Sequence, residues 1–477
     1  MSSYSTKLFI NGTSRDSGDG KTLAQINPAT EEAFCAVSAA TVADVNAAVE
    51  GAEQAFVKEW RDVSPRQRAE TLFQIARCIR ENLEALAALE SRNIGKPISD
   101  ARDEIGLGAR VFEYYAGAIG KFYGQTIPVA RGGFDFTLRQ PMGVIAAIVP
   151  WNFPFPIACW KVAPALAAGN AVVLKPASQS PLTAIQLGLL AQQAGLPAGV
   201  LQVVPGAGSV IGDVLAGHPR IRKVSFTGST EIGSRLMSLA ARDLKRVSLE
   251  LGGKSPNIIF ADADVDQAAA SSPMSVFANA GQDCCARSRV FVERAVYDRF
   301  VQGFLEATRS LIVGDPSQDK TQIGPLVSAG QRQLVEGYID GARQARRSIA
   351  AGGKRPLAKG YYLEPTVVLD VDLADRIWQE EVFGPVVCIR PFDDEEQMLR
   401  EVNDSRYGLS GSLWTNDLKR ALRIVRRVES GVLSVNSHSS VHVEAPFGGF
   451  KQSGLGRDLG MAAMEGYTEL KNIYVAE

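Results

Sequence analysis

Gly143-Val144-Ile145-Ala146-Ala147-Ile148-Val149-Pro150-Trp151-Asn152-Phe153-Pro154 decides the fold of this chain. The uncharged run at its start reads as a strand buried on both faces. Pro150, Pro154 and Pro156, with Asn152 among them, prevent 143–160 from continuing as one apolar membrane helix, so the stretch reads as a buried strand followed by an irregular loop. Comparable short apolar runs recur at 171–174, 200–204 and 223–226, separated by helical stretches such as 181–195. Apolar strands joined by helices predict a parallel sheet covered on both faces. Upstream, Ser64-Pro65 opens one long helix that Gly95 stops. Downstream, runs at 289–292, 366–369, 385–389 and 431–435 predict a second α/β unit. Strand-like segments at 125–129, 134–138 and 467–475 fall outside both series and are candidates for pairing between subunits.

A length of 477 residues exceeds what one core supports and predicts two or three domains. Hydrophobic and charged fractions of 45% and 22% are those of an ordinary globular protein. A net charge of −1 argues against nucleic-acid and anionic-membrane partners. Six scattered cysteines make no disulfide framework, and the first residues, Met1 to Lys7, contain no apolar signal region; both point to the cytoplasm. Three histidines, with no His-Glu-x-x-His and no Cys-x-x-Cys, predict no metal site.

The chemistry concentrates in Phe277-Ala278-Asn279-Ala280-Gly281-Gln282-Asp283-Cys284-Cys285-Ala286-Arg287-Ser288-Arg289. A lone cysteine is as readily a small buried hydrophobe, and Cys285 keeps that reading. Cys284, on a glycine-led loop with arginines downstream, is placed like a nucleophile whose thiolate the cations favour. In Leu249-Glu250-Leu251-Gly252-Gly253-Lys254, a carboxylate stands among leucines, where a raised pKa suits a general base; the plain alternative is an exposed turn residue. Val224-Ser225-Phe226-Thr227-Gly228-Ser229-Thr230-Glu231-Ile232-Gly233 runs from strand through glycine into a helix start. It is either an anion cradle for a dinucleotide pyrophosphate or an ordinary strand–turn–helix junction, and it is not the Gly-x-Gly-x-x-Gly fingerprint. Lys175 ends a strand where an adenosine ribose commonly lies.

Together with Pro150-Trp151-Asn152-Phe153-Pro154, Lys175-Pro176, Glu381-Val382-Phe383-Gly384-Pro385 and Pro446-Phe447-Gly448-Gly449, these segments resemble the NAD(P)-dependent aldehyde dehydrogenase superfamily over nearly the whole chain. The resemblance implies an α/β fold of two doubly wound domains with a small β oligomerisation element. Residues 1–122 and 142–251 would form the coenzyme-binding domain, 252–452 the catalytic domain, and 123–141 with 453–477 the oligomerisation element of a homodimer or homotetramer. By the same resemblance Cys284 is the nucleophile, Asn152 with the Cys284 N–H forms the oxyanion hole, and Glu250 activates the deacylating water. NAD(P)+ would meet Trp151, Lys175 and Ser178, then Gly228, Ser229 and Gly233, and finally Leu251, Glu381 and Phe383. Phe153, Trp160 and Phe447 would line the aldehyde tunnel, with Leu107 and Val441 nearby, and Asp283 would face the substrate. Arg246, Arg457 and Glu469 match a structural charge network.

The expected reaction is aldehyde oxidation to the acid through a thiohemiacetal and a thioester. Apolar aliphatic or aromatic aldehydes are favoured, and Asp283 keeps an aminoaldehyde open. Ser178 stands where many NAD-preferring relatives have glutamate, so NADP+ is expected to be accepted. Asp458 stands where such relatives often have a glutamate proposed as a proton relay. The alternatives are a cysteine hydrolase or acyltransferase without a redox step, which needs a base histidine, and a non-enzymatic crystallin-like protein.

Overall fold

A computed structural model describes residues 4–439 and 441–476; Met1 to Ser3, part of the N-terminal reading above, and residues 440 and 477 lie outside it. Across the first sheet the strands run Gly454–Leu455, Arg246–Glu250, Ile221–Thr227, Val144–Ile148, Ala171–Lys175, Leu201–Val203, Leu8–Ile10 and Thr13–Arg15. The strands from Arg246–Glu250 to Leu201–Val203 are parallel, and both ends close with antiparallel pairs. From Val144–Ile148 the chain steps outward through Ala171–Lys175 to Leu201–Val203. It then returns to the opposite flank of Val144–Ile148 with Ile221–Thr227 and Arg246–Glu250. Such a reversal opens a crevice at the carboxyl ends of the two diverging strands.

Val144–Ile148 is buried along its whole length, and its side chains alternate between two cores. Val144, Ala146 and Ile148 pack with Val45 and Val49 of helix Val42–Ala55 and Leu236 of helix Thr230–Ala241. Ile145 and Ala147 pack with Phe155 and Val162 of helix Pro154–Ala167 and Leu187 of helix Leu182–Gln193. The expected irregular loop is thus shorter than the sequence suggested. Pro154 and Pro156 fall in the first helical turn, where an N–H has no intrahelical acceptor to lose. The long helix expected from Ser64 to Gly95 is two helices, Pro65–Glu81 and Leu83–Ile94. Ser64 and Gln67 form the capping box and Gly95 (φ 80°) ends the pair, but Asn82 breaks the middle. Its side-chain amide donates to the Cys78 carbonyl at 2.8 Å, competing with the helical backbone.

The second sheet runs Ser348–Ala351, Thr366–Leu369, Val386–Phe392, Arg289–Glu293, Pro256–Ile259, Ser410–Trp414 and Val432–Val435, parallel except for its first pair. Ile258, Phe291, Val387 and Leu413 supply its core with Phe300 and Trp378 from the covering helices. The short link 251–255 carries the chain from the carboxyl end of Arg246–Glu250 into the amino end of Pro256–Ile259. The carboxyl edge of the first sheet therefore abuts the amino edge of the second, and the loops entering Arg289–Glu293 and Val386–Phe392 reach the crevice.

Thr468–Val475 pairs antiparallel with Phe134–Pro141, which also pairs with Thr126–Ile127. The strands expected to pair between subunits thus pair first with each other. Gly454–Leu455, grouped by sequence with that element, instead edges the first sheet beside Arg246–Glu250. Buried Asn170 ties the two regions together. Its Oδ1 accepts from the Met142 and Gly143 N–H groups at 2.7 and 3.0 Å, and its Nδ2 donates to Ala165 and Tyr467 carbonyls at 3.1 and 2.9 Å. Among the described residues no helix is long and apolar enough to cross a membrane.

Candidate active site

Registers Ile148↔Lys175, Phe226↔Ile148 and Thr227↔Glu250 align four strand ends on one edge. The loops that leave them hold Asn152, Lys175-Pro176, Gly228-Ser229 and Leu251-Gly252. At the switch point lies a cleft of about 280 Å³, lined by Trp151, Asn152, Thr227, Gly228, Ser229, Leu251, Gly252, Cys284, Glu381 and Phe383, with Gln331 and Leu334 entering from helix Ala329–Gln344. The cysteine picked out by sequence thus shares one cavity with the loops after Val144–Ile148, Ile221–Thr227 and Arg246–Glu250, whereas Lys175 and Ser178 lie outside its lining.

Cys284 follows a strained turn. Asn279 (φ 51°), Ala280 (φ 55°) and Gly281 (φ 70°) are successive left-handed residues. That conformation costs a non-glycine residue about 1–2 kcal/mol and persists only where the surroundings enforce it. Here the enforcement is visible. Asn279 Nδ2 donates to the Asn152 carbonyl at 3.0 Å and the Gln282 carbonyl at 3.2 Å, and Gln282 Nε2 donates back to the Asn279 carbonyl at 3.0 Å. The Val327 N–H holds Gln282 Oε1 at 2.9 Å. A Cβ on Gly281 would run into the Gly384 carbonyl. Asn152 Nδ2 donates to the Gln282 carbonyl at 2.9 Å, so the amide sits against the loop that carries Cys284.

The electrostatics differ from the sequence reading. Arg287 is buried and spends its guanidinium on Ser412 Oγ and on the Cys285, Gly411 and His438 carbonyls. Arg289 serves the carbonyls of Lys254, Glu401 and Val402. Among the described residues neither guanidinium donates a hydrogen bond to the Cys284 thiol, although Arg287 shares the field of both the Cys284 and Cys285 thiols. The adjacent Cys285 thiol, burial, and the charges of Asp283 and Glu381 all push the Cys284 thiol well above its ordinary value, so it rests neutral. Cys285, read as inert packing, is buried as expected and yet exerts the largest of these influences.

Glu250 is buried, not an exposed turn residue, and neither carboxylate oxygen has a hydrogen-bond partner among the described residues. Burial and the nearby Asp458 push its pKa well up, while Lys161 and Arg457 pull it down. A Cβ on Gly448 would sit 2.7 Å from Glu250 Oε1. Behind it, Asp458 pairs with buried Lys161 at 2.9 Å, and Lys161, Ser248 and Tyr467 all reach Ser225 Oγ, at 3.2, 3.1 and 3.0 Å.

On the side read as coenzyme-binding, buried Lys175 points to the Pro176 carbonyl at 3.1 Å, and burial lowers its pKa to about 8. Half-buried Ser178 faces Gln179, and its carbonyl accepts from Gln25 Nε2 at 3.1 Å. Ser229 caps helix Thr230–Ala241, and Thr227 Oγ1 is buried without a partner beside it. Gly233 lies under Leu251, where a side chain would collide, and does not join the cleft wall. Burial raises Glu381 to about 7, and its carboxylate accepts from the Gly253 N–H at 2.9 Å. Trp151 meets Phe383 edge-on at 5.2 Å.

On the side read as substrate-binding, Trp160 and Phe447 are buried and touch edge-on at 5.3 Å. Half-buried Phe153, Leu107 and Val441 pack on the same core as Cys284. Asp283 accepts from the Cys285 N–H at 2.8 Å, and burial raises its pKa. Arg246 pairs with Glu469 at 2.9 Å, while Arg457 turns to the Gly449 and Gly456 carbonyls. Sequence reasoning missed Asn279, Lys161 and the Gln331–Leu334 wall. Asn279 was visible in the Cys284 stretch, five residues before the thiol, whereas nothing near Lys161 or Gln331 marks them.

The chain matches the aldehyde dehydrogenase family profile over residues 15–473. An aldehyde dehydrogenase of Enchytraeus buchholzi is 43% identical over 475 residues, covering 98% of this chain and 95% of the relative. Aldehyde dehydrogenase from Bacillus cereus, solved as an NAD+ complex, superposes with a TM-score of 0.97 at 40% identity, covering 99% of this chain and 96% of that one. Indole-3-acetaldehyde dehydrogenase of P. syringae, solved with NAD+ and IAA, superposes with a TM-score of 0.98 at 42% identity, covering 100% and 97%. This chain belongs to the aldehyde dehydrogenase family.

The thiol electrostatics generate a test. Cys285→Ala removes the strongest influence holding the Cys284 pKa up, so the midpoint of its alkylation by iodoacetamide, followed by peptide mass against pH, moves to lower pH. A midpoint that stays or rises contradicts the assignment.

Proposed function

We propose that this protein oxidises an aldehyde to the carboxylic acid with NAD(P)+ through a covalent intermediate on Cys284. The observation that carries the reading is the meeting of Cys284 with the loops of three strand ends, Asn152 on one of them, in one switch-point cleft. The cleft suits a dinucleotide on its own chemistry. The Ser229-capped helix start and unpartnered Thr227 hydroxyl offer donors to a pyrophosphate, Lys175 offers a cation, and Glu381 offers an acceptor for ribose hydroxyls. Trp151, Gly228, Leu251 and Phe383 complete that wall, Ser178 follows Lys175 beyond it on the ribose side, and Gly233 supports Leu251 from behind. When bound, the nicotinamide accepts the hydride lost by the substrate carbon.

The chain's own residues do the rest. Cys284 sulfur bonds to the carbonyl carbon as the π electrons move to oxygen, and the Asn152 amide with the Cys284 N–H stabilises that oxyanion; one such donor is worth about 3–4 kcal/mol. Because the thiol rests neutral, its proton passes to water in the cleft as the bond forms. Oxidation leaves a thioester, and Glu250, unpartnered and with a raised pKa, takes a proton from the water that attacks it. The carbon–sulfur bond then breaks, releasing the acid and regenerating Cys284.

A hydrolase without a redox step would need a base histidine near Cys284. His438 bridges Ser412 and Ser272 at 3.1 and 3.3 Å, and burial with Arg287 holds its pKa down to about 3. A crystallin-like role leaves the unpartnered Glu250 without purpose. The eight-stranded sheet is read as the coenzyme-binding part and the seven-stranded sheet as the catalytic part. Exposed Phe134, Leu138, Leu470 and Tyr474 on the third sheet support a homodimer or homotetramer. Six free cysteines support a reducing compartment, the cytoplasm.

Three measurements test these roles. Cys284→Ser abolishes dehydrogenase turnover, whereas Glu250→Gln still gives a stoichiometric burst of reduced coenzyme, because hydride loss precedes hydrolysis; multiple turnover at full rate in the Glu250 variant would remove it from the role.

The aromatic pair Trp160–Phe447 with Phe153 favours apolar aldehydes, a reading that the name of the indole-3-acetaldehyde relative supports. Across hexanal, benzaldehyde, aminobutyraldehyde and succinic semialdehyde, kcat/KM is highest for the first two and lowest for the last. Succinic semialdehyde as the best substrate sinks this choice, and a preference for aminobutyraldehyde assigns Asp283 the recognition.

Ser178 leaves no carboxylate on its loop to repel a 2′-phosphate near Lys175. NADP+ is therefore accepted, and Ser178→Glu lowers kcat/KM for NADP+ more than for NAD+. Wild-type protein that turns over NAD+ alone shows that Ser178 does not set the choice.

A further inference from the structure

Behind the Asn152 loop lies a charged cluster with no part in the chemistry so far. Lys96 stands between Gly95, which ends helix Leu83–Ile94, and Pro97, which starts helix Ile98–Ala118, and its side chain is 0% exposed. The ammonium donates to the Asn152 carbonyl at 2.9 Å and to the Glu104 carboxylate, and lies 4.1 Å from the centre of the Phe153 ring. Burial pushes the neighbouring carboxyls of Glu90, Asp100 and Glu104 up, Glu104 to about 8.

Burying a lysine is costly, and an ion pair with Glu104 alone would not require it to reach two consecutive residues of the Asn152 loop. The Asn152 carbonyl takes one donor from each side: Asn279 Nδ2 from the nucleophile turn and Lys96 Nζ from the helical layer. With its backbone held from both sides, Asn152 exchanges the Gln282 carbonyl for an oxyanion by moving only its side chain. The ring of Phe153 over the ammonium fixes the next residue as well.

We propose that Lys96 is a positioning residue for the oxyanion site: clamped by the Asn152 carbonyl, the Glu104 carboxylate and the Phe153 ring, it holds the Asn152 amide beside Cys284 and brings a positive charge to the back of the site. The proposal rests on the roles given above to Cys284 and Asn152.

The test uses acylation of Cys284 by 4-nitrophenyl acetate, which passes through an oxyanion at the same carbon position without coenzyme, alongside aldehyde turnover. Lys96→Met lowers the 4-nitrophenolate burst rate and kcat by about 10- to 100-fold, the scale of a misplaced catalytic group, and leaves the coenzyme KM within about twofold. In an Asn152→Ala background the same change costs about twofold or less, because the two residues act as a unit. Lys96→Met/Glu104→Gln, which removes both partners of the buried pair, carries the same cycle if the single variant does not fold, with urea unfolding as the control on integrity. Equal losses in both backgrounds, or a wild-type burst rate in a folded Lys96 variant, overturn the proposal. A Cys284→Ser variant that keeps turnover overturns instead the reading beneath it.

Discussion

The hydrogen bonds that lock Asn152 to the Cys284 turn are the constraint on which the site depends. Each comes from a different part of the chain: Asn152 leaves the central strand of the first sheet, while Asn279 and Gln282 lead into the second. Without that seam no side-chain hydrogen bond among the described residues ties the Asn152 amide to the Cys284 turn. The left-handed turn 279–281 shows what the seam withstands. Ala280 gains nothing locally from a positive φ, so the turn persists through Gln282, Val327 and the close approach of Gly281 to Gly384. Stability elsewhere in the fold is being used to hold a strained loop at the place where two sheets meet.

Neutralising the resting thiol has a physical logic. A permanent thiolate beside Asp283 and Glu381 would be repelled by both carboxylates and open to oxidation. On the proposed mechanism, negative charge is stabilised by donors that face the reacting oxygen and act only once it forms. The same separation holds for Glu250, whose carboxylate is walled by Gly448 and shares its field with Asp458 and Lys161.

Much of this was legible in the sequence because it is local. Apolar runs such as 143–149 and 366–369 announce parallel strands, and the glycine–cysteine and glutamate–leucine–glycine segments announce their chemistry by composition. What escaped is what tertiary contacts decide. Pro154 and Pro156 read as helix breakers until their place in the first turn is known. Asn82 read as a helix residue until its side chain took the Cys78 carbonyl. Arg289 is near Cys284 in sequence, yet its guanidinium serves the carbonyls of Lys254, Glu401 and Val402, so sequence proximity misled about its charge, whereas Arg287 does share the thiols' field. Lys96 and Lys161 carry no motif; only folding brings them to Asn152 and Asp458.

The buried lysines bear on how the interior treats charge. Burial holds Lys175, Lys223 and Lys254 at about 8, below the ordinary 10.5. Between those values the unfolded chain binds more protons than the folded one, so their contribution to stability improves as pH rises through that window. Below about 8 the folded chain carries these cations at a cost. A fold selected for stability alone would replace them with apolar side chains of similar volume. Lys175 and Lys254 stand at strand ends along the seam between the sheets, and Lys223 lies further back on Ile221–Thr227, donating to the Gly466 carbonyl.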